Sequence, residues 1–214
     1  MNLEKYRYIV VEGPIGVGKT SLARRIAAET GAQPLLEQPQ ENPFLERFYG
    51  DMSAWAFHSQ VFFLVHKFNA HRRLLEGGAP MIQDRTIYED AEVFAEHLHR
   101  SGHMLDDEFN TYKGLYAEFR ELLPPPSLMI YLRARVDTLL DRIKLRGRPE
   151  EQAIPREYME SLHALYEAWF ERYDASPKIV IELDALDFVR QPEDRAAVIA
   201  RVSAALSALE SACP

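Results

Sequence analysis

Residues 13–20 read GPIGVGKT, the spacing G-x-x-x-x-G-K-[ST], and what surrounds them leaves room for one local structure. The apolar run YIVVEG ahead of them predicts a strand, and SLARRIAAE behind them predicts an amphipathic helix. A glycine-rich turn between strand and helix offers backbone N–H groups and a helix N-terminus, which together cradle a polyphosphate. Gly13, Gly16, Val17, Gly18, Lys19, Thr20 and Ser21 are the expected phosphate-binding residues. Lys19 is placed for the β and γ phosphates, and Thr20 for a Mg²⁺ ion held through its hydroxyl. Nucleoside triphosphate binding follows.

Strand and helix signals then alternate along all 214 residues, with no repeat and no low-complexity tract. Short apolar runs predict strands at Tyr8 to Val11, Leu35 to Glu37, Pro80 to Asp84, Leu128 to Leu132 and Lys178 to Leu183. Helices are expected at Lys19 to Ala28, Trp55 to Glu76, Ala91 to His99, Asp107 to Leu123, Asp137 to Arg146, Pro155 to Tyr173 and Glu193 to Leu209. This alternation predicts one domain over residues 1–214, a P-loop three-layer α/β/α sandwich around a five-stranded parallel sheet. The formal net charge of −8 argues against nucleic-acid and membrane partners, which need a basic face. Cys213 is the sole cysteine, so no internal disulfide is expected, and the first residues lack the apolar run of a signal peptide. A cytoplasmic protein is the expectation.

Against that acidic background Arg142, Arg146 and Arg148 crowd into the segment DRIKLRGRPEEQ. They follow a predicted helix and open a charged, proline-containing stretch suited to a mobile arginine-rich lid at about 146–154. Planar guanidinium groups there would stabilise charge on a transferring phosphoryl group. Glu37 ends the second predicted strand, and Asp84 and Arg85 end the third, so all three are expected in the crevice beyond the carboxyl ends of the strands. Glu37 is placed as general base for an acceptor hydroxyl, Asp84 as a metal holder acting through water, and Arg85 as a bridge between acceptor and phosphate. No N-K-x-D guanine signature occurs, which weakens a GTPase switch. Two alternatives stay open: a nucleoside monophosphate kinase such as a thymidylate kinase, and a nucleotide-binding regulatory module without catalysis. Against the first, no lysine or arginine lies between Arg25 and Arg47 to meet an anionic acceptor near Glu37.

Four segments carry a resemblance to the deoxynucleoside kinase family: EGPIGVGKT, ENPFLERFYGDMSAWAFHSQVFFL, DRTIYED and YLRARVDTLLDRIKLRGRPEEQAIPREYMESLH. The resemblance implies transfer of the γ-phosphate of ATP to the 5′-hydroxyl of a deoxynucleoside, with purines favoured and deoxycytidine possible. It implies that Glu37 deprotonates that hydroxyl, that Arg85 holds its oxygen near the γ-phosphate, and that Tyr49 and Glu151 grip the 3′-hydroxyl. Gln60 matches a glutamine that reads the base edge. Asp90 matches an aspartate that selects the base together with an arginine, and Lys67 stands where that arginine is usual. Asp84 replaces the common glutamate, and Phe63 replaces a smaller residue. A homodimer is implied as well. His58, His66 and His71 share one predicted helix without partners at metal spacing and read as polar-face residues.

Overall fold

The computed structural model describes residues 7–148, 151–152 and 154–212. Of the expected lid, Pro149, Glu150 and Ala153 lie outside the described residues, as does Cys213. Strands β1 (Tyr8–Glu12), β2 (Gln33–Leu35), β3 (Met81–Asp84), β4 (Leu128–Arg133) and β5 (Lys178–Glu182) form one sheet in the order β2-β3-β1-β4-β5, with every pairing parallel. Ile9 and Val11 of β1 join one core while Tyr8 and Val10 join the other, and β4 divides its side chains the same way. Both faces are covered, which is why these strands read as unbroken apolar runs.

Helices α1 (Lys19–Thr30), α7 (Val136–Arg146) and α9 (Pro192–Ala212) supply Leu22, Ile26, Leu139, Ile143, Val198 and Val202 to the first core. Helices α3 (Met52–Gly77), α6 (Asp106–Leu122) and α8 (Arg156–Arg172) pack on the opposite face. Helix α8 turns Leu162 and Trp169 inward there, and Tyr173 just beyond its end is buried as well. Between α1 and α3 runs the short α2 (Leu45–Gly50). Among the described residues no helix is long and apolar enough to cross a membrane.

Two elements differ from the sequence expectation. The second strand sits two residues earlier than predicted and contains Pro34. It lies at the sheet edge, where a missing N–H is tolerated. The helix expected at Ala91 to His99 starts sooner, as α4 (Ile87–Glu89), widens into a π turn over Asp90–Ala95, and closes as α5 (Glu96–Arg100). Single π turns within helices recur at functional positions. His71 also departs from its polar-face reading: it is buried, its ring centroid is 4.2 Å from that of Tyr8, and burial pushes its pKa down to about 4.

Candidate active site

The phosphate loop joins β1 to α1 and packs against the end of β4 and the turn beyond β5. Gly13 has φ 138°, and a Cβ there would run into the carbonyl oxygen of Leu132. Gly18, with φ 107°, caps the N-terminus of α1, and a Cβ would lie 2.7 Å from Cζ of Phe188. Only glycine takes both the left-handed backbone and the close approach. Lys19 is buried and its ammonium donates to the carbonyls of Gly13 and, at 3.1 Å, of Pro14. Burial first and Arg85 second lower its pKa. The Thr20 hydroxyl donates to Oδ2 of Asp84, at the end of the neighbouring β3, while Asp84 Oδ1 is buried without a hydrogen-bond partner. Ser21 lies exposed on the first turn of α1.

Across the crevice, the residues after β2 and β3 meet α3 in a buried charge cluster. Arg85 Nε lies 3.0 Å from Glu37 Oε2, and Arg85 Nη1 lies 3.1 Å from Glu89 Oε1. Lys67 Nζ reaches Asp90 Oδ1 at 2.6 Å and Glu37 Oε1 at 3.3 Å. Burial works to raise the pKa of Glu37, but Arg85 and Lys67 outweigh it and hold the carboxylate below its ordinary range. Asp90 goes the other way, since burial pushes it up to about 6 against the pull of Lys67. Arg85 has φ 66°, the only non-glycine residue at positive φ among the described residues, and its guanidinium stacks over Phe94 at 4.9 Å. Such a backbone persists where its surroundings over-determine it.

Sequence reasoning named Glu37, Lys67, Arg85 and Asp90, and the fold brings all four together. Gln60, two turns before Lys67 on α3, is buried with Oε1 unpartnered, as is Asp90 Oδ2. Tyr49 lies apart from them on α2 and is 58% exposed, although Tyr158 of α8 feels the charge of both Tyr49 and Arg85. The arginines separate. Arg146 pairs with Glu151, and Arg148 Nη1 lies 3.5 Å from the same carboxylate. Arg142 instead donates to the carbonyls of Leu183 and Leu186, each at 2.7 Å, and of Val17 at 3.4 Å, so it clasps the back of the phosphate loop. Sequence reasoning missed Glu12, Thr86, Glu89 and Phe94; the charge of Arg85 beside Glu89 in DRTIYED is the one local signal that pointed there. Among the described residues no group of three or more His, Cys, Asp or Glu side chains could hold a metal ion alone.

A phosphate loop after the central strand, facing a carboxylate and an arginine across the crevice, defines a P-loop phosphotransferase of the small-molecule kinase class. The chain belongs to the deoxynucleoside kinase family, whose profile matches residues 9–207. It is 34% identical over 190 residues to the deoxyadenosine/deoxycytidine kinase of Bacillus subtilis (strain 168), covering 88% of each chain. It is 35% identical over 203 residues to the deoxyguanosine kinase of the same strain, covering 91% of this chain and 95% of that one. A deoxyadenosine kinase from M. mycoides, with dCMP and dCDP bound, superposes with a TM-score of 0.78 at 28% identity, over 95% of this chain and 100% of that chain. The chain is thus an ATP-dependent deoxynucleoside kinase.

Proposed function

We propose that the preferred acceptors are deoxyadenosine and deoxyguanosine, with deoxycytidine accepted less well. The observation that carries this reading is a pair of buried acceptors without donors, Gln60 Oε1 and Asp90 Oδ2. A base that brings an exocyclic amine supplies the missing donor, and thymine brings none. The names of the bacterial relatives support the same choice.

In this reading Glu37 accepts the proton of the 5′-hydroxyl, and Arg85 holds that oxygen in line with the γ-phosphate. Little covalent work is needed, so the rate comes from alignment and from offsetting charge with Lys19 and Arg85. The Thr20 hydroxyl and Asp84, with its unpartnered Oδ1, fit a Mg²⁺ ion shared with the nucleotide phosphates. Bound there, it would supply positive charge to offset that of the phosphates. Arg146 and Arg148 exchange Glu151 for phosphate oxygens as the lid closes, which frees Glu151 to meet the 3′-hydroxyl beside Tyr49. Arg142 contributes by bracing the loop from behind. Two copies of the chain associate in the cytoplasm, a reading supported by the shallow apolar groove along α3 lined by Phe57, Val61, Phe62 and Val65.

A phosphorylation screen of deoxynucleosides, ribonucleosides and nucleoside monophosphates with ATP and Mg²⁺ tests this reading. Thymidine used as well as deoxyadenosine would refute the base assignment, and transfer to thymidine monophosphate in preference to any nucleoside would refute the acceptor assignment.

A further inference from the structure

Behind Arg85, sealed from solvent, two glutamates face each other. Glu12 ends β1 just before the phosphate loop and Glu89 ends α4, and both are 0% exposed. One oxygen of Glu12 accepts from the Thr86 hydroxyl. Arg85 reaches Glu89 Oε1 as an ion pair, and neither that oxygen, nor Glu89 Oε2, nor Glu12 Oε2 has a hydrogen-bond donor among the described residues. Two carboxylates in contact cannot both stay ionised without water or a cation between them.

The wider count points the same way. Five carboxyls gather here, on Glu12, Glu37, Asp84, Glu89 and Asp90, against three cations, Lys19, Lys67 and Arg85. Tyr8, Tyr88, Tyr131, Tyr166 and Tyr173 also feel the charge of one or both members of the pair, and none of them brings positive charge. Burial first, then the neighbouring Glu89, pushes the Glu12 carboxyl well above its ordinary range. Burial works against Glu89 too, but Arg85 and Lys19 outweigh it and hold that carboxyl low.

We infer that Glu12 and Glu89 form a buried acid–carboxylate pair, that Glu12 keeps the proton, and that the charged Glu89 is a positioning residue which fixes the Arg85 guanidinium for phosphoryl transfer. This rests on Arg85 standing beside the acceptor oxygen, as proposed above. Arg85 is shared between Glu37 through Nε and Glu89 through Nη1, with Phe94 against its face. Without the Glu89 charge the guanidinium turns fully onto Glu37, which withdraws it from the phosphate and occupies the base. Glu12 touches no substrate; its proton lets Glu89 remain charged beside a second buried carboxyl.

The test compares steady-state kinetics of Glu89→Gln, Glu89→Asp, Glu12→Gln and Arg85→Met in the full chain with deoxyadenosine and ATP. Glu89→Gln is expected to lower kcat by about 10-fold to 100-fold, the usual range for a group that orients a working side chain. The nucleoside KM should stay within about threefold, because the interaction matters in the transition state. Glu89→Asp keeps the charge and recovers part of the loss. Glu12→Gln copies the shape and neutrality of the protonated acid and should lower kcat by less than about threefold. Equal losses in the two Gln variants would overturn the assignment of the proton. Arg85→Met separates this inference from the reading beneath it: unchanged kcat there sinks the role of Arg85 itself, whereas loss there with none in Glu89→Gln sinks only the positioning role. If circular dichroism shows that Glu89→Gln does not fold, Glu12→Gln decides, and a tenfold or greater loss in it overturns the proposal.

Discussion

The ammonium of Lys67 lies 2.6 Å from Oδ1 of Asp90, and both side chains are buried. A lysine carries one compact charge where an arginine carries a planar fork, so a single atom serves both Asp90 and Glu37 here. Lys67→Met would leave two buried carboxylates without that partner. The expected loss is about 3–5 kcal/mol of unfolding free energy, read from urea denaturation at neutral pH. A loss below about 1 kcal/mol, the size of an exposed pair, would mean that water reaches the cluster.

Asp90 makes base recognition dependent on pH. With its carboxyl pushed up to about 6, it is ionised and able to accept from an exocyclic amine above that value, and protonated below it. Catalytic efficiency reports the free enzyme, so kcat/KM for deoxyadenosine should fall as pH drops through about 6, with ATP saturating. Asp90→Asn should be lower throughout and lack this step. A step that survives the substitution belongs to another group.

Glu37 behaves differently, because Arg85 and Lys67 keep it charged well into acid. Its own titration should not appear in the kcat profile near neutrality. Glu37→Gln should reduce kcat by about 10²–10⁴ while ATP binding, measured by calorimetry, stays near that of the native chain. More than about a tenth of native turnover would contradict a base at this position.

For the lid arginines the diagnostic is the split between kinetic constants. Arg148 sits at 3.5 Å from Glu151, a loose contact that is easily exchanged. Arg148→Ala should depress kcat more than it raises the nucleoside KM, since its pairing with phosphate strengthens as charge develops. A change confined to KM would make it a binding residue only.

Two glycines with similar backbones should respond very differently to alanine. Gly18→Ala meets Phe188 at 2.7 Å in a φ of 107° and should abolish ATP binding by calorimetry. Gly31, the C-cap of α1 at φ 74°, has nothing within 4 Å of a Cβ. Gly31→Ala should cost about 1–2 kcal/mol of stability through the left-handed backbone alone and leave ATP affinity intact. Similar ATP affinity in the two variants would remove the steric argument.

Much of this was legible in the sequence, for reasons that differ from element to element. Tyr8 to Val11 and Leu128 to Leu132 announce themselves because both faces of these strands are covered. The edge strand escaped by two residues, since Pro34 argued against a strand that needs hydrogen bonds on one side only. Lys19 and Thr20 were fixed by the loop motif, whereas Gln60, Lys67 and Asp90 came from the family resemblance and not from local chemistry. Glu12 and Glu89 were silent because their burial depends on cations from α1, α3 and the turn after β3. In their own segments they look like any acid at a strand end or a helix end. Arg142 was grouped with its neighbours because spacing cannot tell a guanidinium facing solvent from one clasped by distant carbonyls.

That clasp has a consequence for the order in which the protein matures on the ribosome. The phosphate loop is translated well before its walls, since Phe188 fills the space beside Gly18, and Arg142 ties Val17 to Leu183 and Leu186. Strand β5 and the turn beyond it must leave the exit tunnel before the loop has its walls. At a synthesis rate of about 5–20 residues per second, the nascent chain spends on the order of ten seconds with its nucleotide-binding motif complete in sequence and unfinished in shape. The walls of the nucleotide site are thus completed by residues made about 170 positions after the loop they enclose.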